Sequence, residues 1–199
     1  MPARTCCIYA GRMSSIEGRS GSALLVIDVQ VGVMSGTWRR DEVVTNIAGL
    51  VADARAHHIP VIWVQHSDEG LAFGSADWQI VPELVPAAGE PIVHKRYRSS
   101  FEATELESLL AERHVGHVII CGAQTEFCIR NAVHAAYERG YDVTLVEDAH
   151  TTEDTAWDKR PLLASQIVDS QNRVCWQYEL PSRTCTLATA KDAFAALSL

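Results

Sequence analysis

Three side chains in this chain could together carry out acyl-transfer chemistry: the carboxylate of Asp28, the ammonium of Lys95 and the thiol of Cys128. Each follows an apolar run, LLVI before Asp28, PIVH before Lys95, and HVIIC with its appended GAQTEF before Cys128. A thiol becomes a nucleophile when a base accepts its proton and a cation favours the thiolate. Taken singly, each residue has a plainer reading. Asp28 fits a capping carboxylate at a strand end, Lys95 an exposed lysine and Cys128 a small core residue. Position shifts the balance for Cys128. With Thr125 as N-cap it takes the third helical position, where free N–H groups and the helix dipole favour a thiolate.

The elements that would carry these residues alternate along the chain. ALLVIDV (23–29) is a short apolar run of the kind buried on both faces of a sheet. Residues 41–58 place Val43, Val44, Ile47, Leu50, Val51 and Ala54 on one helical stripe. Pro60 then leads into the strand VIWVQ, and a loop punctuated by Gly70, Gly74, Pro82, Pro86, Gly89 and Pro91 follows. PIVHK reads as a weaker strand and residues 101–114 as a helix with early acidic residues. Beyond it come strand HVIICGA, helix TEFCIRNAVHAAYERG, strand DVTLVED, helix LLASQIVDSQNRV, strand TCTLATA and a short terminal helix. This alternation is the pattern of a parallel sheet covered by helices on both faces. Ligands of such sheets bind at the carboxyl ends of the strands. Asp28, Gln65, His66, Lys95, residues 122–128 and Asp148 all sit there, so the fold would bring the three reactive groups together.

Composition narrows the classes of function. A length of 199 residues suits one well-buried domain. The formal net charge of -8 argues against a nucleic-acid surface, and no apolar run approaches the roughly 18 residues of a membrane span. Cysteines 6, 7, 121, 128, 175 and 185 form no CxxC pair or metal-finger spacing, and no secretory signal pattern is visible. Reduced thiols in a cytoplasmic protein are the expectation. Neither nucleotide-binding fingerprint, GxGxxG or GxxxxGK[ST], is present.

Strand-Asp (LLVIDVQ), strand-Lys (PIVHKRYRSSF) and then GAQTEFCIRNAVHAAYERGYDVTLVEDAHTT closely resemble the isochorismatase-like cysteine hydrolase family, from about residue 22 to residue 190. The resemblance implies a three-layer α/β/α sandwich around a central parallel sheet, Rossmann-like in kind. It implies one hydrolase domain over 22–199; residues 1–21, which have no clear period and are rich in Ser, Gly and Arg, read as a flexible N-terminal tail ahead of it. It implies that Asp28, Lys95 and Cys128 form a catalytic triad, and that the peptide between Ala123 and Gln124 is cis. The N–H groups of Gln124 and Cys128 would then form an oxyanion hole. The activity implied is hydrolysis of an amide, ureide or lactam C–N bond through a Cys128 thioester, with lactam opening as in streptothricin hydrolases included. No cofactor is implied, and a homodimer or higher homo-oligomer is.

Nicotinamidases of this superfamily add a metal bound by an Asp and several His ahead of the lysine strand. Here His66 and Asp68 alternate correctly for two ligands, but the further histidines are missing, so no metal is expected. His66 then belongs to the pocket, with Trp38, Trp78, Gln79, Tyr97, Ser100 and Phe101 as the other candidates for contact with a small-molecule substrate. Two other readings compete: a thiol redox or sensing protein using Cys128, and an idle family member serving as an assembly module.

Overall fold

The computed structural model describes residues 14–195; Cys6 and Cys7 lie outside the described residues. Six parallel strands form the central sheet: β1 (Gly21–Ile27), β2 (Val61–His66), β3 (Ile92–Lys95), β4 (Val115–Ala123), β5 (Asp142–Thr151) and, at its far edge, the short strand Cys185–Ala188. Their order is β3-β2-β1-β4-β5 and then the edge strand. The chain thus winds outward one way from β1 to β3, then returns to lay β4 against β1. The crevice between β1 and β4 is the reversal point at which ligands of such sheets bind.

Alternation along the buried strands divides the core in two. Leu25, Ile27, Ile120 and Leu145 point to one face, Leu24, Val26, Ile119 and Val146 to the other. Helices α3 (Leu106–Glu112), α4 (Arg130–Glu138) and α5 (Ala164–Gln177) cover the first face through Leu106, Leu110, Val133, Ala136, Tyr137 and Cys175. Helix α2 (Arg40–Ala56) covers the second with the Val43–Ala54 stripe, helped by Phe194. A single turn, α1 (Val31–Met34), precedes α2. The result is a three-layer α/β/α sandwich. Among the described residues no helix is long and apolar enough to cross a membrane.

Several local expectations differ from what is found. Helix α3 starts at Leu106 rather than 101, because residues 101–105 form turns. Ala103 has φ 51°, and Thr104 bonds back to the Ser100 carbonyl at 2.6 Å. Residues 190–195, where a terminal helix was expected to begin, are turns; residues 196–199 lie outside the described residues. A two-stranded antiparallel ribbon, Thr155–Trp157 with Arg160–Leu162, precedes α5; its turn residues Asp158 and Lys159 are left-handed at φ 50° and 63°. The segment ahead of β1, read as part of a loose tail, is docked from Ser14 onward. Ser14 N–H donates to Asp142 Oδ2 at 2.6 Å, Ser15 N–H to the Gly140 carbonyl at 3.0 Å, and Arg19 to Glu107 Oε1 at 2.9 Å. Gly116 makes the space: a Cβ there would lie 2.2 Å from the Arg19 carbonyl oxygen.

Candidate active site

β1 ends at Ile27, and Asp28 continues its pairing by donating its N–H to Val64 O at 2.9 Å. The backbone then turns into the left-handed region, φ 51°, which Asp tolerates better than most residues and which bulky side chains rarely occupy. The turn directs the carboxylate across the end of the sheet, where it is 1% exposed. Strained backbone of this kind persists where the surroundings over-determine it, and clusters at functional sites. A buried carboxylate also needs a partner. Lys95, the last residue of β3, is equally buried and places Nζ 2.7 Å from Asp28 Oδ2. The contact is an ion pair rather than a directed bond: neither carboxylate oxygen accepts a hydrogen bond of good geometry from a described residue. Lone pairs of Asp28 therefore remain for a proton.

Lys95 Nζ has three further contacts: Cys128 Sγ at 3.2 Å, the Tyr97 carbonyl at 3.2 Å and His66 Nδ1 at 3.4 Å. An ammonium has only donors, so Nδ1 faces it as an acceptor and His66 carries its proton on Nε2. Nε2–H then donates to Asp68 Oδ2 at 3.0 Å, while the N–H groups of Gly70 and Leu71 cap Asp68 Oδ1, each at 2.9 Å. The bond from His66 and the two backbone donors hold the Asp68 carboxyl below its ordinary range, against the modest cost of burial.

Cys128 arrives from β4. Gly122, φ +124°, packs against β1 so closely that a Cβ would lie 2.0 Å from the Ile27 carbonyl oxygen. The Ala123–Gln124 peptide is cis. The chain then makes a π-helical turn, Thr125–Ile129, that runs straight into α4. Ile129 N–H reaches back to Gln124 O at 3.2 Å, and Asn131 donates to the Phe127 carbonyl at 2.8 Å, supplying that carbonyl with a side-chain donor. Single π turns inside α-helices occur frequently at functional sites. The cap differs from expectation: Gln124 is the N-cap residue and Thr125 is the first residue of the turn, its hydroxyl paired with His150 Nδ1 at 2.9 Å. Cys128 is therefore fourth, and 8% exposed.

The thiol's acidity also departs from expectation. Burial pushes it up to about 12; the charge of Asp28 acts in the same direction and Lys95 opposes both. This favours a protonated thiol over a ready thiolate beside the Asp28–Lys95 contact.

Above these groups lies a cavity of about 380 Å³. Asp28, Cys128, Gln124 and His66 form part of its lining; Val33, Asp68, Arg96, Tyr97, Arg98 and Phe127 form the rest. Of the residues proposed from sequence for substrate contact, His66 and Tyr97 line it. Five do not. Trp38 is pinned to the end of β5, its N–H on Thr152 O at 2.8 Å, and borders a separate small cavity. Trp78 packs at a tilt against Phe73 and His94, ring centroids 4.5 and 5.5 Å away. Gln79 is exposed and its carbonyl accepts the Val31 N–H. Ser100 is fully buried, and Phe101 packs in the core against Tyr141. Asp148 is structural too, accepting the Ala190 N–H at 2.7 Å. Val33 and Phe127 were not foreseen; the RYRSSF turn after Lys95 was expected in the wall, but through Tyr97, Ser100 and Phe101 rather than through Arg96 and Arg98.

The sequence model of the isochorismatase domain matches residues 22–163. The chain belongs to the isochorismatase family. It is an isochorismatase-like hydrolase. Its similarity to curated proteins includes a ureidoacrylate amidohydrolase of Enterobacter sp. strain 638, 29% identical, with 64% of this chain and 74% of that protein covered. A secreted isochorismatase effector of Verticillium dahliae is 28% identical over 68% of this chain and 75% of its own. Among solved structures, an isochorismatase from Pseudomonas putida KT2440 is 31% identical with a TM-score of 0.77, covering 86% of this chain and 89% of that one. A cysteine hydrolase from Pseudomonas syringae pv. phaseolicola, 23% identical, shares the fold with a TM-score of 0.77 over 86% of this chain and 90% of its own.

Proposed function

We propose that this family member cleaves the C–N bond of a small amide or ureide through a thioester on Cys128. One observation carries the reading: the buried Lys95 ammonium lies 2.7 Å from the Asp28 carboxylate and 3.2 Å from the Cys128 sulfur at the floor of one cavity. Carboxylate, ammonium and thiol make a base, a counter-charge and a nucleophile. The similarity to a ureidoacrylate amidohydrolase supports C–N chemistry.

In the proposed cycle Asp28 takes the thiol proton as sulfur attacks the substrate carbonyl. The tetrahedral oxyanion faces two backbone donors, the N–H of Gln124 and that of Cys128, which stands in the first turn where N–H groups lack a helical partner. The C–N bond then breaks as Asp28 returns the proton to the departing nitrogen. Water attacks the thioester, giving Asp28 a proton as its oxygen bonds to carbon. The C–S bond breaks, the acid leaves, and the proton on Asp28 restores the thiol. Lys95 keeps the site near neutrality throughout by facing whichever of carboxylate and thiolate carries the charge.

The cycle uses no metal. His66 Nε2 and Asp68 Oδ2 are bonded to each other, and among the described residues no group of three or more His, Cys, Asp or Glu could join them. Turnover of a panel of amides, ureides and lactams by wild type and Cys128→Ser tests the reading. Hydrolysis that depends on the thiol and survives exhaustive chelation is expected. A Cys128→Ser enzyme with undiminished turnover would end it, and activity lost to chelator and restored by a divalent metal would remove the metal-free cycle.

A further inference from the structure

We propose that the substrate carries a carboxylate, gripped by Arg98 together with Arg96 at the mouth of the Cys128 cavity. The proposal rests on the hydrolase reading above for its chemistry, but on different residues for its geometry.

Charge bookkeeping within the cavity points to an anion. Asp28 is neutralised by Lys95, and Asp68 is tied down by His66 and two backbone donors. Neither carboxylate is left to face a cation. Arg96 and Arg98 line the same cavity, and among the described residues neither has a carboxylate partner. Five other arginines among the described residues meet carboxylates: Arg19 with Glu107, Arg39 with Glu42, Arg40 with Glu83, Arg55 with Glu90 and Arg113 with Glu112. Others without one, such as Arg130 and Arg139, bond to Gln171 and the Ala135 carbonyl instead. In a chain with 25 acidic and 17 basic residues, the Arg96 and Arg98 guanidiniums, with Arg98 clear of any described carboxylate partner, put a local positive surplus where the cavity opens. A cleft with charge of one sign focuses the field and concentrates ligands of the other.

The position of Arg98 gives this surplus direction. Its guanidinium carbon lies 3.7 Å from the centroid of the Phe127 ring, and Phe127 immediately precedes the nucleophile. Stacking occupies the face of a guanidinium and leaves its N–H edge free, the edge that meets a carboxylate through two parallel bonds. The plane of Arg98 is thus set by an aromatic residue of the nucleophile's own turn. Arg96 stands at the rim, lining both this cavity and a neighbouring open one with Ser67, Asp68, Glu69 and Phe73, so its charge is partly offset there and Arg98 is the main anchor. A small amide whose carboxylate meets Arg98 would have its carbonyl held near Cys128, which converts binding into orientation.

The test compares iodoacetate with iodoacetamide as alkylating agents of Cys128, read by mass spectrometry of the peptide that contains it. The two reagents differ in carrying a carboxylate or a neutral amide. The iodoacetate-to-iodoacetamide rate ratio at Cys128 should exceed that of N-acetylcysteine by about tenfold or more at low salt, and shrink as salt is added. In Arg98→Gln, and further in Arg96→Gln/Arg98→Gln, the ratio should fall toward that of N-acetylcysteine. Because each ratio is internal to one variant, a general loosening of the site affects both reagents alike. A wild-type ratio equal to that of N-acetylcysteine, or one that persists in the double variant, overturns the proposal. Turnover is compared separately on amides with a free carboxylate and on their methyl esters. Iodoacetate preference without turnover of any amide would sustain the carboxylate site and defeat the hydrolase reading. Thiol-dependent turnover with no preference for either acid or iodoacetate would do the reverse.

Discussion

Burial and the charge of Asp28 push the Cys128 thiol up to about 12, while the Lys95 ammonium pulls it down. The two partners can therefore be separated experimentally, because removing each moves the thiol in an opposite sense. Asp28→Asn deletes the repelling charge, so the pH profile of Cys128 alkylation should move to lower pH even as turnover falls by about 100- to 10,000-fold for want of a base. Lys95→Met deletes the attracting charge, and the same profile should move to higher pH. Shifts of the same sign in the two variants would contradict the arrangement. Both variants also leave one buried ion without its partner, a change that typically costs about 3–5 kcal/mol. Urea midpoints should drop in both. That Asp28, Lys95 and Cys128 would meet at one end of the sheet was legible in the sequence because each interrupts or follows an apolar run, where a charge or thiol stands out locally. The direction of the thiol's acidity was not, since burial of Cys128 and its nearness to Asp28 arise only when β1 and β4 meet.

At the scale of elements, the π turn that presents Cys128 is anchored sideways by β5. His150 accepts or donates at both ring nitrogens, Nδ1 to Thr125 Oγ1 and Nε2 to Asn172 Oδ1, each at 2.9 Å. Oδ1 of Asn172 can only accept, so Nε2 carries the proton and Nδ1 accepts from Thr125. Burial lowers the pKa of His150 from 6.5 to about 4, although the bond to Asn172 and the charge of Asp148 work the other way. With the folded value below the unfolded one, the unfolded chain binds the proton first. Stability is complete above about 6.5 and is lost as pH falls from there toward 4, at about 1.4 kcal/mol per pH unit and about 3 kcal/mol in all. Urea unfolding at pH 7 and pH 4.5 measures it. His150→Gln, whose amide can serve both neighbours, should flatten that pH dependence; an unchanged slope would assign the acid sensitivity elsewhere, to His117 for example, which burial also lowers. The order of the six sheet strands and of the main covering helices was readable from periodicity, whereas α1 and the ribbon of residues 155–162 were not. The π turn was not, because its sequence has ordinary helical spacing and what distinguishes it is a backbone bond, Ile129 N–H to Gln124 O, with Thr125 tied to His150, 25 residues on.

Across the whole molecule, the walls of the site resisted reading where the floor did not. Trp78 and Phe101 have the composition of a binding pocket, yet one packs against Phe73 and His94 and the other fills the core beneath Arg139. An exposed arginine is written the same way whether it faces solvent or a cavity, so Arg96 and Arg98 gave no local signal. The docked segment from Ser14 to Ser20 was hidden for a similar reason. Its polar, glycine-containing sequence looks unstructured, and the groove that receives it is built by Gly116, nearly a hundred residues away. Gly116→Ala should push that segment off β4, since the new methyl meets backbone rather than a flexible side chain. A loss of about 1–3 kcal/mol is expected, with faster proteolytic cleavage between residues 14 and 20. Cleavage at the wild-type rate would mean that the segment does not need the groove.

Gly122 works as a fixed gauge between Asp28 and Cys128. The strand bearing one and the strand leading to the other touch there backbone to backbone, with 2.0 Å between the Ile27 oxygen and the place any side chain would begin. No side chain at that position can be trimmed or rotated to tune the gap. A laboratory lineage selected for new substrates would then have to remodel its walls, at Val33, Arg96, Tyr97 and Arg98, over an unaltered floor. In a random library enriched for activity on any amide, codon 122 should come through as glycine while those four positions diversify.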